Sequence, residues 1–158
     1  MEQRELESVE QRLTRALAGW AAGSVAVGFG LAIAGRRSGH AEVSNFGRQT
    51  LAWGAVDGVI AGIGALSRRR RGVLNEREVL GKARSLRNLL LANAVADVAY
   101  VTAGAVIWMR ARNGATTVRL TGGDGLAILV QGGFLLVLDA VHAAQLGADQ
   151  WRSPDPGT

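Results

Sequence analysis

The sequence contains no cysteine and only two prolines. The missing thiol excludes disulfide frameworks, thiolate nucleophiles, iron–sulfur clusters and zinc sites built on cysteine. Both prolines lie in the final stretch WRSPDPGT, which shows no apolar periodicity. We therefore expect residues 147–158 to form a disordered tail.

Lysine and arginine are absent from four long apolar blocks, at roughly residues 16–35, 49–66, 88–109 and 125–146. About 20 apolar residues suffice to cross the core of a bilayer. The blocks are apolar nearly all round, whereas helices of a soluble bundle keep one polar face. We predict an all-α polytopic membrane protein, with four transmembrane helices forming an antiparallel bundle over residues 16–146.

Two segments outside the blocks have amphipathic patterns. In residues 1–15 (MEQRELESVEQRLTR), Leu6, Val9 and Leu13 fall on one helical face. The mixed charges and the lack of a small-residue cleavage site distinguish this segment from a signal peptide. It is predicted to be a cytoplasmic amphipathic helix, and RRRRGVLNEREVLGKARSLR at 68–87 is predicted to contain a short interfacial helix.

The distribution of basic residues predicts the orientation. Twelve Lys and Arg lie in the N-terminus, the middle loop and the tail, against six in the other two loops. By the positive-inside rule, both termini and the arginine loop face the cytoplasm. The pI of about 11.2 reflects this topology rather than a nucleic-acid partner. A composition rich in alanine, glycine and arginine, with one lysine, favours a bacterial inner-membrane protein whose first partner is the lipid bilayer.

Polar side chains inside the spans form spaced groups: Trp53 and Asp57 in the second, Asn93, Asp97 and Tyr100 in the third, and Gln131, Asp139 and His142 in the fourth. The i, i+4, i+7 spacing in the third span defines one helical face. At about 1.5 Å per residue, two carboxyl groups fall near the midplane and the third about 6 Å toward the cytoplasm. We predict that these residues converge on one interior volume and bind an ion or a small hydrophobic or polar ligand.

The three carboxyl groups lack a cation within the spans. Each ionised aspartate near the midplane costs about 2.5–3.5 kcal/mol even on the lenient insertion scale. Three dry carboxylates therefore do not all stay charged. Some are protonated, or a bound cation or water compensates them, or they contact His142 as imidazolium.

A glycine motif in the second span predicts close helix packing. Gly54, Gly58 and Gly62 form GxxxGxxxG, which permits close approach of another backbone. The motif leaves open whether the partner helix belongs to the same chain, to a second copy or to a larger membrane complex.

Three functions fit these residues. The first is transport or binding of a proton, a cation or a small solute in an acidic cavity. The second is an accessory or assembly subunit of a larger membrane complex. The third is an intramembrane enzyme that uses a protonated aspartate as general acid on a lipid-soluble substrate. A purely structural role for the acids is the alternative, although interhelical hydrogen bonds average only about 0.6 kcal/mol in measured membrane cases.

A metal site and an enzymatic role are less favoured. The pair Asp139-x-x-His142, with Asp57 and Asp97, is similar to the carboxylate sites of helix bundles. The second histidine and the glutamates of such sites are missing, so no metal and no cofactor are expected.

The order WxxxD, NxxxDxxY and QGGFLLVLDAVH over spans two to four resembles an uncharacterised family of bacterial four-span integral membrane proteins. The resemblance implies a four-helix membrane fold. Because such a family has no established activity, the resemblance assigns no functional residue to this chain.

Overall fold

The computed structural model describes residues 1–115 and 120–151, and this part of the chain is all-helical. The helices are α1 (Gln3–Arg37), α2 (Ala41–Arg69), α3 (Glu76–Arg112) and α4 (Gly122–Trp151). Each is long and apolar enough to cross a membrane, by length and composition. The prediction of an all-α, multi-pass membrane protein with four spans is confirmed.

The helices extend beyond the apolar blocks from which they were predicted. With 35 and 37 residues, α1 and α3 measure about 52 and 55 Å, against a hydrocarbon core of about 30 Å. The amphipathic segment at 1–15 is therefore not a separate helix but the start of α1, because nothing in the sequence interrupts the helix before the apolar block. The predicted interfacial helix is likewise the start of α3.

Capping and turn residues define the ends of the helices. Asn75 begins α3 with a capping box, in which its side chain accepts from the Glu78 backbone and the Glu78 carboxylate accepts from the Asn75 backbone. Residues 38–40 join α1 to α2, with Gly39 at a φ of +72°, which glycine adopts without steric cost. Of the tail predicted from residue 147, the first five residues belong to α4, which continues to Trp151, and residues 152–158 lie outside the described part.

The helices form two antiparallel hairpins, α1–α2 and α3–α4, each closely packed. We call the end where α1 and α3 begin the proximal end and the opposite end the distal end. Between hairpins, α2 packs on α4, and α1 makes lighter contacts with α4 and α3. No Cα atom of α2 lies within 8 Å of a Cα atom of α3 among the described residues. These two helices are therefore not packed backbone to backbone, and we call the space between them the gap.

Small residues seven positions apart form the seams inside the hairpins. The glycines are Gly28 and Gly35 in α1, Gly47 and Gly54 in α2, and Gly125 and Gly132 in α4. A Cβ atom on Gly28 would lie 2.5 Å from the Leu51 backbone nitrogen, and one on Gly54 would lie 2.7 Å from the Ser24 Cβ. Backbones at this separation leave no room for a side chain. The seven-residue period is that of bundles packed nearly along one axis.

The predicted GxxxGxxxG surface follows this seam only in part. Gly54 is tightly packed, a Cβ atom on Gly58 would meet only the Ala21 Cβ at 3.8 Å, and one on Gly62 would have no atom within 4 Å. Gly62 therefore makes no close helix contact within the described chain, and its packing role against another chain stays a prediction. A four-residue repeat drifts around the helix away from a seven-residue seam, so its third member points elsewhere.

The proximal end carries a leucine-rich core. Leu6 and Val9 of α1 pack with Val79 and Ala83 of α3 and with Leu146 of α4, all buried. Beside this core, the last residue of the arginine run forms two hydrogen bonds of 2.8 and 2.9 Å between Arg71 and the Glu10 carboxylate. At the proximal end, the two hairpins are therefore held together by apolar burial and by the Arg71–Glu10 ion pair on the loop between them.

Candidate functional site

A cavity of about 440 Å³ lies between the two hairpins. All four helices line it, and it extends from Tyr100 and Leu135 toward Thr14 and Gly64 nearer the proximal end. Asp57, Asp97 and Asp139 line its walls, together with Asn93. The structure therefore brings the polar faces of α2, α3 and α4 to one volume.

The three aspartates occupy the inner line of their helices. Asp97 lies seven residues after the buried Leu90 and seven before Gly104. Asp139 lies seven residues after Gly132 and seven before Leu146. Asp57 follows the tightly packed Gly54 by three residues, so it faces the interior at 2% exposure. The seams that pack the hairpins are thus the reason why the carboxyl groups point inward.

Asp57 is held by a chain of hydrogen bonds across three helices. The Trp20 indole Nε1 of α1 donates to Gln131 Oε1 at 2.8 Å, and Gln131 Nε2 donates to Asp57 Oδ2. An indole N–H is only a donor, so it fixes the orientation of the amide and makes the Asp57 oxygen an acceptor. Trp20 also stacks on Phe134, with ring centroids 4.0 Å apart.

The other two carboxyl groups differ in their partners. Asp139 is hydrogen-bonded by the Asn93 amide. Asp97 is 4% exposed, and its Oδ2 atom is buried without a hydrogen-bond partner. Asp97 also interacts electrostatically with both of the other carboxyl groups. A buried acceptor left open costs about 1–3 kcal/mol relative to a satisfied one, so Asp97 is the carboxyl group that gains most from a donor.

The cavity contains no compensating cation from the protein. No Lys, Arg or His is among its lining residues. His142, predicted to join the acids, is buried elsewhere on α4, where its Nδ1 pairs with the Leu138 carbonyl oxygen at 2.7 Å. This bond within α4 holds the ring on its own helix, so the predicted imidazolium contact is not formed. Among the described residues, no group of three or more metal-binding side chains is arranged to hold a metal ion.

An aromatic pair bridges the gap between α2 and α3. The Trp53 and Tyr100 rings meet edge to face, with centroids 5.7 Å apart. Tyr100 lines the cavity, whereas Trp53, predicted as a binding residue, is not among the lining residues and contacts Tyr100. The pair lies distal to the acids, at the end of the cavity that Tyr100 lines.

The sequence did not assign α1 a part in the site. Leu13, Thr14 and Leu17 line the cavity, and Trp20 orients Gln131. Tryptophan near the end of a span is commonly interfacial, so the position of Trp20 in the sequence did not indicate a role in the site. The apolar face noted in residues 1–15 contained a signal, since Leu13 continues it into the membrane domain.

A second cavity, of about 390 Å³ at the distal end, has ionisable side chains that already have partners. Glu42 accepts a hydrogen bond from the Gly123 backbone at the start of α4, and the Arg112 guanidinium lies 5.0 Å above the Trp108 ring. The central cavity is therefore the stronger candidate, because it contains the unpartnered acid.

Comparison with known proteins adds a family but no activity. No curated protein and no solved structure matches the chain. A family model described as a family of unknown function (DUF6992) matches residues 16–140, from the start of the first apolar block to just past Asp139. This agrees with the resemblance that the polar positions indicated, and the chain belongs to this family.

Proposed function

We propose that this protein binds a cation inside the membrane and transports it, with Asp97 as the central binding group. The observation that supports this proposal is Asp97 itself: it lines a cavity with two further carboxyl groups, and its Oδ2 atom is buried without a hydrogen-bond partner. Acidic residues in spans are commonly part of ion or substrate pathways, because keeping them there is costly. A proton or another cation compensates the charge that the lining residues do not.

The arrangement of partners divides the roles of the acids. Asp57 is fixed by Gln131 and is part of the frame at the distal end of the cavity. Asp139, with Asn93, lies on the proximal side of Asp97. A cation that enters from the proximal end meets Asp139 first, then Asp97, and is stopped by Trp53 and Tyr100. Passage to the distal side requires this aromatic pair to separate.

The proposed setting is a bacterial inner membrane with both termini and the arginine loop in the cytoplasm. The excess of basic residues on that side supports it. The proximal end is then cytoplasmic, and it is the end toward which the cavity extends past Thr14 and Gly64.

The test is flux through purified protein in liposomes. Dissipation of an imposed proton gradient is measured first, and then uptake of Na⁺ and K⁺. Asp97→Asn, which keeps the size of the side chain, should abolish flux while the protein elutes unchanged from a sizing column. Glu76→Gln, an exposed charge at the start of α3, is the matched control and should keep full flux. Flux that is the same in Asp97→Asn and in the unaltered protein would overturn the proposal.

A second candidate is a subunit of a larger membrane assembly or of a homo-oligomer. Gly62 supports it, since this glycine faces open space on α2 beside the exposed Ile63 and Val59. A helix from another chain could approach there closely. A single monomeric species in detergent, at all protein concentrations tested, would count against the homo-oligomer.

A further inference from the structure

We propose, on the basis of the cation site above, that the cation is a lipophilic amine that enters sideways from the bilayer between α2 and α3. Its ammonium group donates to Asp97, and its apolar body lies on the leucines of the cavity. The carboxyl groups, the cavity wall and the gap between the hairpins each support part of this assignment.

The gap provides the entrance. No Cα atom of α2 lies within 8 Å of a Cα atom of α3 among the described residues, and the Trp53–Tyr100 pair crosses between these helices distal to the acids. Ile60 of α2 and Leu89 of α3 line the cavity and are 53% and 57% exposed. In a bilayer these exposed side chains contact acyl chains. The route into the cavity from the membrane is therefore apolar.

The size and lining of the cavity argue against a small inorganic ion as the natural occupant. A volume of 440 Å³ falls in the range of pockets that hold small organic ligands. A bare proton or metal ion would leave space for on the order of ten waters. Those waters would lie against an apolar wall formed by Leu13, Leu17, Leu86, Leu90, Leu135 and Leu138. An apolar body fills this wall without that cost.

The open acceptor selects an amine over other lipophilic cations. Gln131 already donates to Asp57, and Asn93 to Asp139, whereas Asp97 Oδ2 has no donor. A primary or secondary ammonium brings both a positive charge and an N–H group. Hydrogen bonds between charged partners are roughly twice as strong as neutral ones. A quaternary ammonium supplies the charge alone and leaves the acceptor open.

Three probes with one apolar body separate these contributions: 4-phenylbutylamine, its N,N,N-trimethyl derivative and 4-phenylbutan-1-ol. Binding to the protein in lipid nanodiscs is measured by calorimetry, with empty nanodiscs as the blank. The expected order of affinity is amine, then quaternary ion, then alcohol. Asp97→Asn should weaken binding of the amine by about 10- to 100-fold and leave the alcohol nearly unchanged.

The entrance is tested by the rate of association. Leu89→Trp narrows the gap, whereas Val95→Trp adds the same bulk at a 74% exposed position of α3 that does not line the cavity. Stopped-flow measurements should show slower association of the amine with Leu89→Trp and an unchanged rate with Val95→Trp. Equal rates in the two variants would overturn entry between α2 and α3.

The outcomes separate this inference from the function on which it rests. An amine that binds no more tightly than the alcohol overturns the inference. If proton or inorganic cation flux still depends on Asp97 in that case, the proposed function stands without it. Loss of both amine binding and Asp97-dependent flux would overturn both.

Discussion

Alanine substitutions along one face of α2 test the packing of the hairpins quantitatively. At Gly54, a Cβ atom would lie 2.7 Å from the Ser24 Cβ and 2.9 Å from the Val25 backbone nitrogen. Overpacking of this kind costs about 1–3 kcal/mol. Alanine recovers about 1 kcal/mol through its higher helix propensity. The expected net effect of Gly54→Ala is a loss of about 1 kcal/mol in the free energy of unfolding.

The same substitution at the other two glycines should have the opposite sign. A Cβ atom on Gly58 makes an ordinary contact at 3.8 Å, and one on Gly62 meets nothing within 4 Å. Only the gain in helix propensity remains at these positions, about 0.5–1 kcal/mol. Gly62→Ala is the matched control for Gly54→Ala, since helix, residue type and substitution are identical.

The assay is thermal unfolding in detergent, followed by circular dichroism. For a chain of this length, 1 kcal/mol corresponds to a change in Tm of about 2–4 °C. The Tm of Gly54→Ala should fall by about that amount, and the Tm of Gly62→Ala should rise. A Gly62→Ala variant as destabilised as Gly54→Ala would refute the seven-residue seam as the full account. It would place another helix, from a second copy or a partner, against the open glycine.

Three further predictions concern the bonds between the hairpins and the orientation of the chain. Gln131→Leu leaves an indole N–H and a carboxyl oxygen unpaired in the interior, so it should lower the free energy of unfolding by about 1–3 kcal/mol for each group. An unchanged Tm would contradict the chain of hydrogen bonds from Trp20 through Gln131 to Asp57. Glu42→Gln removes a negative charge from the start of α4 and should cost about 0.3–1 kcal/mol, with a smaller loss at high salt; a loss independent of salt would argue against the charge. Because the chain has no cysteine, Ser38→Cys and Arg70→Cys report topology: an impermeant maleimide should label the first in intact cells and the second only after lysis, and the reverse pattern would invert the proposed orientation.

The sequence predicted the helices and the convergence of the acids for a clear physical reason. Uncharged blocks of bilayer length have few alternatives to a helix, and i, i+4, i+7 spacing assigns Asn93, Asp97 and Tyr100 to one face. Three interior acids from adjacent helices then have to lie near one another in a small bundle. This part of the site followed from composition and period alone.

The other features of the site depend on tertiary contacts, which the spacing of residues along the sequence does not specify. His142 has the spacing to join Asp139, but its ring pairs with a carbonyl oxygen of its own helix. Trp20 has the position of an interfacial residue, but the way the hairpins dock brings it to Gln131. The gap between α2 and α3 also follows from that docking, because the packing within each hairpin does not determine the distance between helices of different hairpins.

The length of α1 and α3 gives the two ends of the bundle different sources of cohesion. Leu6 and Val9 precede the first predicted span, and Val79 and Ala83 precede the third, whereas Leu90 and Leu146 lie near the ends of predicted spans. The outer part of this core is therefore expected to form where water is the solvent. Burial there is favoured by the release of water, which urea and cooling weaken. Within lipid, that force is missing and close contact of small residues replaces it. Urea should therefore weaken the contacts between the hairpins at the proximal end while the helices stay inserted. The packing of the hairpins around the cavity would then respond to the composition of the aqueous phase.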